Sequence, residues 1–276
     1  MNVTVGYTIF NKSHLISKIV SGLNSWMQEG DEVIFLFDNC SDGSLDTFLK
    51  VKDSLPCESL IVVPDEELFE IKANNQILKL ASKDIIILFQ DDMVCNDAAM
   101  KQKVSRVTTY YGGKAGLIGG RSGYELDGTE NFNATCYDRV SNWEHKKEQY
   151  GFRLPEGEFR ERTILNRGPL VFTRDLLGTV GYLDESFFPL WGDDVDYCCR
   201  SKFKYNRENV VFQCDIQSPL EWGAMRKRGV IYPLPDGTKG TAGTVMRRNW
   251  NLLMDRWGEN LREYYENTVK LKCKTL

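Results

Sequence analysis

The chain has 276 residues, 42% hydrophobic and 27% charged, with 23 glycines and only 8 prolines, enough to bury a full core as an ordinary globular protein. Its net charge of -4 disfavours a nucleic-acid binder with a broad basic surface, and the late basic clusters Arg226-Lys227-Arg228 and Arg247-Arg248 suit a local anion site instead. Eight cysteines without a CxxC pair, and two histidines, His14 and His145, give a structural zinc site almost no ligands, so the thiols are expected to be reduced.

The first half alternates strand-like and helix-like segments. Residues 3–10 read as a strand, and a helix opens at Ser13 with apolar spacing at Leu15, Ile16, Ile19, Val20 and Leu23. A second strand over 33–37 ends in Asp38. There follow a helix over 45–51, a strand over 60–63, a helix over 73–81 and the strand 85–89. Strands alternating with helices predict a mainly parallel sheet covered on both faces. A further helix at 101–111 and a short strand at 115–118 come next, and the polar, weakly periodic stretch 121–165 reads as an insertion over the sheet that contacts an acceptor. Beyond it lie a strand at 170–173, a helix from about Asp175, a strand at 210–212 and two helices at 245–257 and 261–270.

The apolar run Ile85-Ile86-Ile87-Leu88-Phe89-Gln90 ends in Asp91-Asp92, and such a strand delivers its acids to the C-terminal sheet edge, where open α/β folds bind ligands. Hard oxygen ligands of this kind suit Mg²⁺ or Mn²⁺ and, through the metal, a diphosphate. The bland alternative for two adjacent strand-end aspartates is a turn or helix cap. A second acidic cluster, Asp193-Asp194-Val195-Asp196, follows about a hundred residues later. Within it Asp196 has Arg200 at i+4 and reads as a helix tether. The loop from Thr8 to Ser13 contains no glycine, so it is neither a dinucleotide fingerprint nor a Walker loop. The segment Asp38-Asn39-Cys40-Ser41-Asp42-Gly43-Ser44 is either a capped turn or a base and ribose pocket. The Gly/Pro/Thr-rich stretch 232–243 reads as a solvent loop or as a lid over a diphosphate, with Arg226 and Lys239 beside or within it as anion contacts.

Taken in order, Phe10-Asn11, the Asp38 to Ser44 loop, Asn75, Gln90-Asp91-Asp92, Gly168-Pro169-Leu170-Val171-Phe172 with Arg174, and Val180-Gly181-Tyr182-Leu183-Asp184-Glu185-Ser186-Phe187-Phe188 form one pattern. It continues in Trp191-Gly192-Asp193-Asp194-Val195-Asp196-Tyr197-Cys198-Cys199-Arg200 and closes in Asn251 to Gly258. The pattern resembles the family 2, rhamnosyltransferase-like, nucleotide-sugar glycosyltransferases of the GT-A fold. The resemblance implies an α/β, mostly parallel GT-A sheet with helices on both faces and C-terminal helices, in a single domain over 1–276. Residues 1–120 would form the nucleotide-sugar half, 121–165 the insertion, and 166–276 the acceptor and catalytic half. It implies metal-dependent, inverting transfer from a UDP-, dTDP- or GDP-linked sugar to a glycan or other hydroxyl acceptor. Asp194 is then the catalytic base and Asp193 its orienting partner; Asp92, with Asp91, holds Mn²⁺ or Mg²⁺; and Thr8, Phe10, Asn11, Asp38, Asn75, Asp91, Arg226 and Lys239 contact the donor. Two departures stand out. Gln90 occupies a position where many relatives carry Asp, Asn or another residue, and Glu221 replaces a metal-binding histidine, which makes it a third candidate ligand.

The rivals are a sugar-1-phosphate nucleotidyltransferase, which needs a glycine-rich basic loop that Thr8 to Ser13 lacks, and a lapsed transferase serving as a glycan- or nucleotide-binding module. The chain's first residues show no basic region followed by a long apolar stretch, and no membrane-spanning segment is expected, so the expected location is cytoplasmic.

Overall fold

The computed structural model describes residues 1–129, 136–142, 152–219, 222 and 230–270. Chain order begins with β1 (Val3–Ile9), α1 (Ser13–Asn24), β2 (Glu32–Phe37), α2 (Ser44–Val51), β3 (Glu58–Val62), α3 (Phe69–Leu80) and β4 (Ile85–Gln90). These are the alternating elements that hydrophobic periodicity predicts. A short β5 (Val94–Cys95), α4 (Met100–Tyr111) and β6 (Ala115–Gly119) follow. Next come β7 (Ser122–Leu126), β8 (Cys136–Ser141), β9 (Phe159–Glu161), β10 (Ile164–Asn166), β11 (Leu170–Thr173), α5 (Arg174–Val180) and α6 (Asp193–Cys199). The chain continues through β12 (Glu208–Phe212), β13 (Ile216–Gln217), β14 (Ile231–Pro233), β15 (Lys239–Thr241) and α7 (Ala242–Tyr264).

Eight strands form one sheet in the order β3-β2-β1-β4-β11-β6-β12-β9. The pairs β1–β2, β1–β4, β2–β3 and β6–β12 are parallel, while β11 runs antiparallel between β4 and β6. Two-residue periodicity divides the strand side chains between two cores. Val5, Tyr7, Val33, Phe35, Ile87 and Phe89 meet α1, α2 and α4 on one face, through residues such as Leu15, Phe48 and Val104. On the other face Ile34, Leu36, Ile86 and Leu88 meet α3, α5 and α7, through Ile77, Leu176 and Leu253. Gly6 lets α3 approach β1: an added Cβ would stand 2.4 Å from Ile77 Cγ2 and 2.8 Å from Leu88 Cδ2. Overpacking of that kind costs about 1–3 kcal/mol.

Three segments differ from expectation. Among the described residues of 121–165, β10, β7 and β8 form an antiparallel three-stranded sheet, and β9 joins the edge of the main sheet beside β12. All five residues of β7, including Ser122 and Glu125, are buried, so the polar/apolar alternation that marks a half-exposed strand is missing. The helices expected at 245–257 and 261–270 are one rod, α7, followed by a wider turn over Tyr265–Val269. Gly258 is buried within this rod, and its carbonyl lies against the turn at Gly128. The stretch 232–243 is ordered in large part as the β14–β15 hairpin, with Gly237 at φ 82° in its turn and Tyr232 buried against Phe69.

Candidate active site

Because β1, β2 and β4 are parallel neighbours, their C-terminal ends open on one edge, and Thr8 stands in register with Gln90. The turn after β1 therefore meets the acids after β4. Phe10 donates its backbone N–H to Asp91 Oδ2 at 3.1 Å. Lys12 is almost wholly buried; its Nζ donates to the Trp222 carbonyl and lies 3.7 Å from Asp91 Oδ1. Burial pushes the Asp91 carboxyl up to about 7, against the pull of Lys12. Asp92 differs from it. Its Oδ1 is buried and accepts no hydrogen bond, an arrangement that costs free energy unless a cation or donor group arrives.

Across the sheet edge, the turn into α6 places the second acidic pair. Trp191 (φ 72°) and Gly192 (φ 92°) both adopt left-handed backbone, which for a bulky residue such as Trp191 is strained. The buried Asn249 of α7 holds that turn, reaching the carbonyls of Phe187, Leu190 and Trp191 at 2.7, 2.9 and 2.8 Å. Asp194 accepts from the Arg167 N–H at 3.0 Å and the Val195 N–H at 2.9 Å. Asp193 is fully buried and pairs with the Arg167 guanidinium, which also reaches Glu70. Burial raises both carboxyls above their ordinary range while Arg167 pulls them back. Asp196 is a tether: Arg200 (2.7 Å), Trp257 (2.9 Å) and Arg256 (3.3 Å) surround it.

Gln90 bridges Glu70 and Arg121. Its amide donates to Glu70 at 3.1 Å and accepts from Arg121 at 2.8 Å. Arg121 in turn lies within the fields of Asp92, Glu70 and Asp194. A cavity of about 330 Å³ opens here, with Gln90, Arg121, Arg139, Trp191 and Asp194 among its walls.

Of the expected donor contacts, Thr8, Phe10, Asn11 and Asp91 gather at this edge. Thr8 donates its hydroxyl to Asn74 at 3.1 Å, and Asn11 (φ 52°) accepts from the Ser41 N–H at 2.8 Å. Asp38 is there too but fully buried, accepting from the Leu68 and Phe69 N–H groups at 2.7 and 2.9 Å. Asn75 lies within α3, buried, with its amide bonded to both backbone groups of Leu183 and to Glu185. Lys239 is exposed on the hairpin, and Glu221 and Arg226 lie outside the described residues. Lys12, Glu70, Arg121 and Arg167 escaped the sequence reading. Lys12, Arg121 and Arg167 are isolated charges in loops and Glu70 stands in the first turn of α3, and only the fold brings these four to the acids.

Among the described residues no three His, Cys, Asp or Glu side chains cluster as a self-sufficient metal site. Mg²⁺-type sites commonly use one or two carboxylates and complete their shell with substrate phosphates and water. The unmatched Asp92 oxygen beside Asp91 fits that donor set.

No family model and no curated protein matches the chain in sequence. Solved structures do match in shape. The mannosyltransferase PcManGT from Pyrobaculum calidifontis, in complex with GDP-Man and Mn²⁺, superposes with a TM-score of 0.53 at 13% identity over 77% of this chain and 55% of its own. S. aureus TarS 1-349 in complex with UDP-GlcNAc gives 0.52 at 15% identity over 77% and 56%, and its complex with UDP gives 0.52 at 15% over 77% and 58%.

The chain has the fold of the GT-A glycosyltransferases. It spans little more than half the length of these structures. Gln90 at the end of β4 and Asp194 at the start of α6 line the same cavity. No helix among the described residues is long and apolar enough to cross a membrane.

Proposed function

We propose that this chain is a metal-dependent, inverting glycosyltransferase, moving a sugar from a nucleoside diphosphate to a glycan or other hydroxyl acceptor. The observation that carries the reading is two unlike acids acting on the one Arg121: Asp92, with its unmatched buried oxygen, and Asp194, on the wall of a cavity of about 330 Å³. The GT-A fold, and the GDP-Man, UDP and UDP-GlcNAc in the structures that share it, support a UDP-, dTDP- or GDP-linked donor.

Asp92, with Asp91 beside it, would hold Mn²⁺ or Mg²⁺, which supplies positive charge against the charge growing on the departing diphosphate. Phe10 fixes Asp91 through its N–H, and Lys12 sets a positive charge behind it. Thr8 and Asn11, and Asp38 through the turn it braces, shape the nucleoside end of the cleft. Asp194 takes the proton of the acceptor hydroxyl as that oxygen attacks the anomeric carbon. Asp193 orients it indirectly: its ion pair fixes Arg167, whose backbone N–H holds Asp194 Oδ2. Direct attack with a single base inverts the anomeric centre. Glu221 and Arg226 belong to this reading as a third metal ligand and a phosphate contact, and Lys239 on the hairpin as a second phosphate contact.

A second reading, a binding module without turnover, draws on Gln90, whose amide is occupied by Glu70 and Arg121. Product analysis by NMR separates the two. Transfer is expected with inverted anomeric configuration, and Asp194→Asn should slow it by about 10²- to 10⁴-fold. A product with retained configuration, or an Asp194→Asn enzyme at wild-type rate, would refute the mechanism.

A further inference from the structure

The buried Arg167 guanidinium is held from two sides. Asp193 pairs with one of its terminal nitrogens and Glu70 with the other. Asp193 is the chain neighbour of Asp194 and shifts with it, so Glu70 is the partner that refers the guanidinium to another part of the fold. Glu70 stands in the first turn of α3, whose start Asp38 braces through the Leu68 and Phe69 N–H groups. The same Glu70 oxygen, Oε1, accepts from the Gln90 amide at 3.1 Å, one residue before Asp91. One carboxylate therefore joins α3, the end of β4 and the loop between β10 and β11. From that loop Arg167 donates its backbone N–H to Asp194 Oδ2 at 3.0 Å. A charge-assisted ion pair to a buried guanidinium fixes geometry more firmly than a neutral contact does.

We propose that Glu70 is a positioning residue for the transfer reaction, holding Arg167 against the end of β4 and so setting where Asp194 meets the acceptor hydroxyl. This role rests on the transferase reading and extends it to a residue outside both acidic pairs. The charge of Glu70 also reaches the base. Asp194 is faced by Arg167 from the β10–β11 loop, by Asp193 and the Cys198 thiol from α6, by Glu70 from α3 and by Arg121 from before β7; Arg139 of β8 borders the same cavity. Burial raises the Asp194 carboxyl, Arg167 opposes that, and the negative charge of Glu70 raises it further. Neutralising Glu70 therefore lowers the Asp194 pKa, whereas a side chain that only filled space would leave it unmoved when replaced by an isostere.

The experiment compares the full chain with Glu70→Gln, which keeps the shape and loses the charge, and Glu70→Asp, which keeps the charge and shortens the reach. Carboxyl titrations by NMR on isotope-labelled aspartate, with the Asp194 signal assigned through Asp194→Asn, need no turnover. In Glu70→Gln the Asp194 pKa should fall, the acid limb of kcat/KM should move to lower pH with it, and kcat should drop about 10- to 100-fold with KM for the donor little changed. Glu70→Asp should keep the wild-type direction of the Asp194 shift and recover part of kcat. An Asp194 pKa that stays put or rises in Glu70→Gln, or a wild-type kcat in that variant, overturns the role. If the pKa falls in a chain that transfers nothing from any donor, the link from Glu70 to Asp194 stands and the transferase reading falls.

Discussion

Asp193 and Asp194 are adjacent in sequence and opposite in situation. Asp193 is sealed against Arg167, whereas Asp194 borders the cavity, so only Asp194 can meet an acceptor hydroxyl. Its pKa is raised, chiefly by burial, and the sign of the consequence is fixed: a base must be ionised, so activity is lost as pH falls through that raised value. The acid limb of the kcat/KM profile should therefore lie above the ordinary aspartate value of about 3.9. Initial rates between pH 4 and 9 check this, and a rate that stays flat down to pH 4 would exclude a buried carboxylate as base. Both acidic pairs were legible in the sequence because each ends or begins a regular element beside apolar residues. Their counter-charges were not, since Lys12, Arg121 and Arg167 reach the acids only through folding.

At the scale of elements, α3 shows how a distant residue sets a helix start. Apolar spacing predicts this helix from residue 73, yet it begins at Phe69. Its flanking residue Leu68 offers no capping side chain; the cap comes from Asp38, which takes the Leu68 and Phe69 N–H groups and holds Phe69 at φ 57°. No local window contains that partner. Asp38→Ala would leave these N–H groups without their acceptor, and we expect a loss of about 1–3 kcal/mol in urea unfolding. An unchanged unfolding midpoint together with weakened donor binding would instead make Asp38 a direct donor ligand. The sequence-derived helix and strand alternation of residues 3–89 held because its strands include apolar runs such as 33–37 and 85–89 and its helices carry apolar spacing. The 121–165 sheet stayed hidden because β7 buries Ser122, Gly123 and Glu125 along with its apolar residues, so it is neither an apolar run nor an alternating one.

For the whole molecule, alternation predicts a mainly parallel sheet but cannot place β11, which enters antiparallel between β4 and β6 and joins the two halves of the sheet. That insertion is set by long-range pairing. Asp92 after β4 and Asp194 at the start of α6 both act on Arg121, and the account of catalysis depends on that proximity. Its central claim, metal-dependent transfer from a nucleotide sugar, is tested most directly by nucleoside diphosphate release from a panel of UDP-, GDP- and dTDP-sugars. The assay compares Mn²⁺ with EDTA, and the wild-type chain with Asp92→Asn. The account predicts release from at least one donor with Mn²⁺, abolished by EDTA and reduced by about two orders of magnitude in Asp92→Asn, the scale of losing one charge-stabilising contact. Release from no donor, or release indifferent to both EDTA and the substitution, would contradict it.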